Sequence, residues 1–186
     1  MPLDGSEKRS MKTVSSTLKR AAVPALAAGL LVTSFATPAA AQTPGSTAFH
    51  IFGNAILSAR AGAVNDVTAT VVNGRLRLTD TSGIAAGPGC LPVSATTVEC
   101  GSLANTVRLS IGLGDLSDRF RGQGLAVRTV VDAGAGSDIV RTGSANDTIG
   151  VRDGVAGNDT VSCDGGSDIV QRDVGDIIAA DCESRF

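Results

Sequence analysis

Four aspartates in the C-terminal third recur in one local setting: Ser137-Asp138-Ile139-Val140, Asn146-Asp147-Thr148-Ile149, Asn158-Asp159-Thr160-Val161 and Ser167-Asp168-Ile169-Val170. They fall 9, 12 and 9 residues apart, and glycines lie upstream of each, Gly134, Gly136, Gly157 and Gly166 among them. One carboxylate per glycine-rich turn, repeated, is the chemistry of hard oxygen ligands for a divalent cation. Glycine belongs where the backbone takes positive φ and brings carbonyl oxygens close together. Acid–base or nucleophilic catalysis finds less support. The sole histidine, His50, sits in an apolar run and reads as a strand residue, and no Gly-x-Ser-x-Gly accompanies the serines, so no hydrolase triad is expected.

Charge and cysteine usage narrow the class further. Residues 132–186 carry ten Asp and one Glu against four Arg, net −7, which argues against nucleic acid or an anionic membrane surface as partner. Arg141, Arg152 and Arg172 interleave with the aspartates and read as charge balance on the edges of the repeats. The four cysteines, Cys90, Cys100, Cys163 and Cys182, contain no CxxC, which disfavours zinc. An even count in an exported chain reads as two disulfides. Three pairings exist, and proximity favours Cys90–Cys100 and Cys163–Cys182.

Residues 1–41 read as a signal peptide, with Met11 a possible true start. Lys12, Lys19 and Arg20 precede an apolar run from Ala21 to Phe35, and Ala39-Ala40-Ala41 offers a small-x-small cleavage site before Gln42. The apolar run contains Pro24 and ends at Thr37-Pro38, too short for a membrane span. The expected product is secreted, has no integral membrane span after cleavage and holds no Lys, Trp or Tyr.

The elements that must position the aspartates are short strands. After a lead-in at 42–47, residues 48–131 form an N-terminal β region. It opens with the runs Phe49–Phe52 and Ile56-Leu57. Asn73-Gly74 between Val67–Val72 and Arg75–Thr79 predicts a two-residue hairpin, with Leu76 and Leu78 inward and Arg75 and Arg77 toward water. Thr81–Pro92 reads as a loop, Thr106–Ile111 as a strand with Val107, Leu109 and Ile111 on one face, and Ala126–Val131 as another. No segment after the leader shows a capped 3.6 periodicity, so almost no helix is expected. Residues 132–186 hold the repeats and a C-terminal cap.

These repeats resemble the RTX-type (hemolysin-type) calcium-binding family, whose unit is G-G-x-G-x-D-x-U-x with U a large apolar residue. Ala133–Arg141 matches at all but the first position. Thr142–Gly150 has Ala145 where the second turn glycine belongs, and Cys163–Gln171 has Cys163-Asp164 in place of the leading glycine pair. Leu113–Arg121 is an isolated, poorer copy around Gly114 and Asp118. The whole resembles the exported, disulfide-bearing members found in high-GC bacteria, which close with a Cys-Glu, here Cys182-Glu183. The resemblance implies an all-β fold, a right-handed parallel β-roll or β-helix (solenoid) with an N-terminal hairpin region. It also implies calcium between turns stacked two units apart, pairing Asp138 with Asp159 and Asp147 with Asp168 across the insertion Val151-Arg152-Asp153. Asp173, Asp176 and Asp181 offer an extension of the ladder, but their irregular spacing favours a capping turn tied by Cys163–Cys182. The expected role is a secreted calcium-binding protein of structural or interaction type, without catalysis. The alternatives are a calcium-assisted polysaccharide-active enzyme, which the missing Lys, Trp and Tyr disfavour, and a metal-free solenoid descended from a calcium binder.

Overall fold

The computed structural model describes residues 42–186; the expected signal segment and its alternative start at Met11 lie outside the described residues. The chain is almost entirely β, and among the described residues the only helical segment is one 3₁₀ turn at Leu103–Asn105. The N-terminal half is built from hairpins. β1 (Ser46–Ile51) and β2 (Asn54–Ala59) pair antiparallel. So do β3 (Asp66–Val72) and β4 (Arg75–Asp80), in the predicted Asn73-Gly74 hairpin, whose two turn residues have φ of 51° and 73°. Leu76 and Leu78 are fully buried, and Arg75 and Arg77 point outward to Glu99. The β1–β2 turn uses the same backbone geometry with Phe52 at φ 50° beside Gly53. A phenylalanine is uncommon in that conformation, so the turn shows only Gly53-Asn54 and lacks the Asn-Gly pair that marks the β3–β4 hairpin.

Thr81–Pro92 is not simply a loop. It contributes β5 (Ile84–Ala86) and the start of β6 (Cys90–Ser94), which pairs antiparallel with β7 (Thr97–Ser102). Cys90 and Cys100 face each other across that pair, with Cα atoms 4.1 Å apart, and are disulfide-bonded. Backbone pairing therefore sets the geometry that the disulfide locks.

After residue 107 the chain changes habit. The strands β8 (Arg108–Gly112), β9 (Arg119–Arg121), β10 (Arg128–Asp132), β11 (Ile139–Arg141), β12 (Thr148–Gly150), β13 (Thr160–Ser162), β14 (Ile169–Gln171), β15 (Ile177–Ile178) and β16 (Ser184–Arg185) alternate between two eight-stranded sheets. The orders are β16-β14-β12-β10-β8-β2-β1-β5 and β15-β13-β11-β9-β3-β4-β7-β6. From β10 onward each strand pairs in parallel with the strand two places earlier. The hairpins supply the first rungs, since β2 pairs in parallel with β8 and β3 with β9.

The three-residue strands bury one side chain each, and register stacks those side chains into columns. One sheet contributes Leu57, Ile111, Val131, Ile149 and Val170, the other Val67, Phe120, Val140 and Val161, all at most 2 % exposed. β-Branched residues suit this arrangement because their side chains pack against in-register neighbours on a pleated surface. Val107 departs from its expected inward position: β8 begins one residue later, and Val107 is 76 % exposed. The second disulfide, Cys163–Cys182, has both residues fully buried and holds the last turn against the coil before it. No described helix is long and apolar enough to cross a membrane.

Candidate metal centre

Each repeat aspartate lies two residues before the buried apolar residue of its strand, so stacking the strands also stacks the carboxylates. In one column the Asn65 N–H donates to Asp118 Oδ1 (2.7 Å), the Asp118 N–H to Asp138 Oδ1 (2.8 Å), and the Asp138 N–H to Asp159 Oδ1 (2.8 Å). The Asp159 N–H donates in turn to Asp176 Oδ1 at 3.4 Å. In the other column the Thr129 N–H donates to Asp147 Oδ1 (2.6 Å), the Asp147 N–H to Asp168 Oδ1 (2.7 Å), and the Asp168 N–H to Glu183 Oε2 (2.8 Å). Each acidic side chain thus caps the backbone of the layer before it.

The expected partners Asp138–Asp159 and Asp147–Asp168 are brought together, both at a separation of 21 residues. The intervals elsewhere are 20 for Asp118–Asp138, 18 for Thr129–Asp147 and 17 for Asp159–Asp176. Turn length varies while register is kept, so the Val151-Arg152-Asp153 insertion is absorbed at the turn edge. There Asp153 takes the Val155 N–H on one oxygen and the Gly136 N–H and Asn158 Nδ2 on the other.

The glycines serve close approach. A Cβ on Gly134 would overlap the Gly114 carbonyl oxygen, one on Gly136 the Leu116 carbonyl oxygen, and one on Gly166 the Ala145 carbonyl oxygen. Gly157 makes only ordinary contact with Gly175, and its φ of 71° is what calls for glycine. Ala145, the substitution in the second unit, is not among the residues with positive φ, so its backbone does not call for glycine.

Burial and charge set the electrostatics. Asp118, Asp138, Asp147, Asp159 and Asp168 are at most 3 % exposed. The second oxygens of Asp118, Asp138, Asp159 and Asp168 are buried with no hydrogen-bond partner; that of Asp147 takes the Gly143 N–H at 3.2 Å. Desolvation pushes the pKa of Asp118, Asp138 and Asp159 up to about 6 against the backbone N–H donations, and repulsion from neighbouring carboxylates adds to the rise. Asp147 and Asp168 are raised for the same first reason. A buried carboxylate oxygen without a donor is costly. A hard cation would relieve it, and these oxygens have the donor chemistry calcium takes. The one group of three closely spaced metal-type ligands among the described residues, Cys163, Asp181 and Cys182, does not fit a metal, because its two sulfurs are bonded to each other.

The columns take in members that the sequence sets apart as an isolated copy or as a cap. Asp118 belongs to the same stack as Asp138, and Asp176 and Glu183 close the two columns rather than standing apart as a cap. Asp173 accepts the Asp153 and Gly154 N–H groups, and Asp181 accepts the Cys163 and Asp164 N–H groups. The signal for two of the column members is an aspartate two residues before an inward apolar residue, Asp118 before Phe120 and Asp176 before Ile178; Glu183, two residues before Arg185, lacks it. His50, set aside as a base, has Nε2 3.1 Å from Thr106 Oγ1 and serves the hairpin region. No family model, curated protein or solved structure matches this chain.

Proposed function

We propose that the protein is an exported, non-catalytic β-roll of the RTX-like kind, of structural or interaction type, whose acidic columns bind calcium. Alternation of short parallel strands between two sheets supports a roll, and parallel crossovers are right-handed almost without exception. Two disulfides and the signal-like leader support export. The observation that carries the calcium reading is the set of buried, unpartnered oxygens on Asp118, Asp138, Asp159 and Asp168. Asp138 with Asp159 and Asp147 with Asp168 would hold ions between successive layers, with turn carbonyls completing the shell. Bound calcium would supply positive charge only; the chain itself sets the layer spacing and keeps water out.

A second reading, a metal-free roll descended from a calcium binder, is favoured by one observation. Every column carboxylate already closes a backbone N–H of the layer before it, so the stack is stitched without an ion. Calorimetric titration of the oxidised, metal-depleted protein separates the two. Saturable calcium binding with Kd on the order of 10⁻⁴–10⁻³ M is expected, as for extracellular modules. No saturable heat at ten times that range would leave the metal-free roll.

A further inference from the structure

The outer face of the second sheet carries a site that the buried columns do not explain. Arg119 and Arg121 project from β9, two residues apart and therefore on one face. Register places Arg141 of β11 beside Arg121 and Ile139 beside Arg119. The four line a depression of about 200 Å³ that contains no acidic residue. The corners are about 5 Å apart between strands and about 7 Å apart along them. Asp66 of β3 stands next to it and holds Arg121 end-on through both terminal nitrogens, with Nη1–Oδ1 2.6 Å and Nη2–Oδ2 3.1 Å. Arg119 reaches the same carboxylate only at 3.7 Å, with its side chain 44 % exposed. The Arg141 side chain has no hydrogen bond or ion pair among the described residues, its backbone carbonyl taking the Gly122 N–H. Three guanidinium groups therefore face one carboxylate, on a chain whose C-terminal third is strongly acidic. Charge balance for the repeats does not account for them, because the column aspartates are buried on the inner side of the sheets.

The same face extends the site. In register across the sheet lie Ser162, Arg141, Arg121, Thr68, Thr79 and Thr97, a row of outward hydroxyl and guanidinium groups about 5 Å apart, closed at one end where Ser162 Oγ donates to Asp181 Oδ2 at 3.1 Å. Arg121 Nη1 approaches Thr68 Oγ1 at 3.4 Å, and Thr79 and Thr97 share a hydrogen bond of 3.2 Å. Arginine forks match planar carboxylates. Hydroxyls in line beside them match a ligand rich in hydroxyl groups, and Ile139 offers apolar contact to a C–H face.

We propose that Arg119, Arg121 and Arg141 bind the carboxylate of an acidic saccharide laid across the outer face of this sheet, with the serine–threonine row meeting its hydroxyls. The site goes beyond the calcium reading and needs no metal, so either can fail alone. The test is titration of the oxidised protein, in buffer passed over chelating resin, with a galacturonic acid trimer, monitored by amide chemical shifts. Saturable shifts at residues 119–121 and 139–141, weakened as salt rises and absent with the neutral galactose trimer, are expected. Arg141→Gln should weaken binding about tenfold with the thermal midpoint unchanged, because a charge-assisted hydrogen bond is lost and no internal partner is left behind. Arg119→Gln should weaken it similarly, and Arg108→Gln on the opposite sheet should not. Equal binding of the neutral trimer, undiminished binding by both pocket variants, or no saturable shifts would overturn the proposal. Inorganic phosphate or sulfate displacing the trimer at equal concentration would also overturn it, by showing a bare anion site.

Discussion

Transferring the oxidised, metal-depleted protein from pH 7.5 to pH 5.0 is expected to raise its thermal midpoint. Asp118, Asp138 and Asp159 have a pKa of about 6 in the fold against an ordinary value of 3.8. A carboxyl raised in the folded state binds protons more tightly there than in the unfolded chain. Stability therefore rises as pH falls from above 6 toward 4, where the unfolded carboxyls also become protonated. At 1.36 kcal/mol per unit, each shift is worth at most about 3 kcal/mol. Down to pH 5.0 only about one of those units is realised per group, and the three are neighbours in one column that share the same repulsions, so roughly half the sum, about 2 kcal/mol, is the realistic gain. For a domain of this size that is about 5 °C in the midpoint. Near pH 4 the trend turns, because Asp153, held down by the Val155 N–H, and Glu99, held down by Arg77, lose the stability their ionised forms contribute. Calcium should change the pattern. At 10 mM, ions binding with Kd in the range of 10⁻⁴–10⁻³ M add about 1.5–3 kcal/mol per site at pH 7.5. They require ionised carboxylates, so the gain is lost on acidification. Differential scanning calorimetry at three pH values, with and without calcium, reads both effects. A midpoint in metal-depleted buffer that is flat or falls between pH 7.5 and 5.0 would refute the inference that the second oxygens are desolvated and unpartnered.

The remaining predictions use the same geometry. Asp138→Asn keeps the acceptor for the Asp118 N–H and removes the charge; it should stabilise the metal-depleted protein at pH 7.5 by about 1 kcal/mol and abolish calcium stabilisation of that column. Asp138→Ala should instead cost about 1–3 kcal/mol by orphaning that N–H, with denaturant unfolding as the measure for both. Gly134→Ala should cost more than about 3 kcal/mol because the new methyl overlaps the Gly114 carbonyl. Gly74→Ala, with an equally positive φ but open space around it, should cost about 1 kcal/mol on the same assay. Replacing Cys163 and Cys182 by alanine should cost about 3 kcal/mol on the chain-entropy estimate for a separation of 19 residues. Hydrogen exchange should then show lost protection in 160–186 while the N-terminal hairpins keep theirs.

The local chemistry was legible in the chain. Asn73-Gly74 specifies its hairpin because both residues must take positive φ, and the Asp-x-apolar cadence specifies short strands with one inward side chain each. Even cysteine count and proximity sufficed for both disulfides, since each bond joins neighbouring segments. The Phe52-Gly53 turn was not legible, because phenylalanine carries no turn signal and only the pairing of β1 with β2 holds it there. Nor was the membership of Asp118, Asp176 and Glu183 in the columns, because intervals of 15 to 21 residues obscure a register that backbone pairing maintains whatever the turn length. The arginine site is the clearest case. Arg119, Arg121 and Arg141 look like scattered counter-charges along the chain, and only the parallel pairing of β9 with β11 sets them side by side. Sequence determined what each short strand buries and what each turn can tolerate. Tertiary structure decided which turns stack, because strand register depends on hydrogen bonds between residues whose separation the chain does not announce.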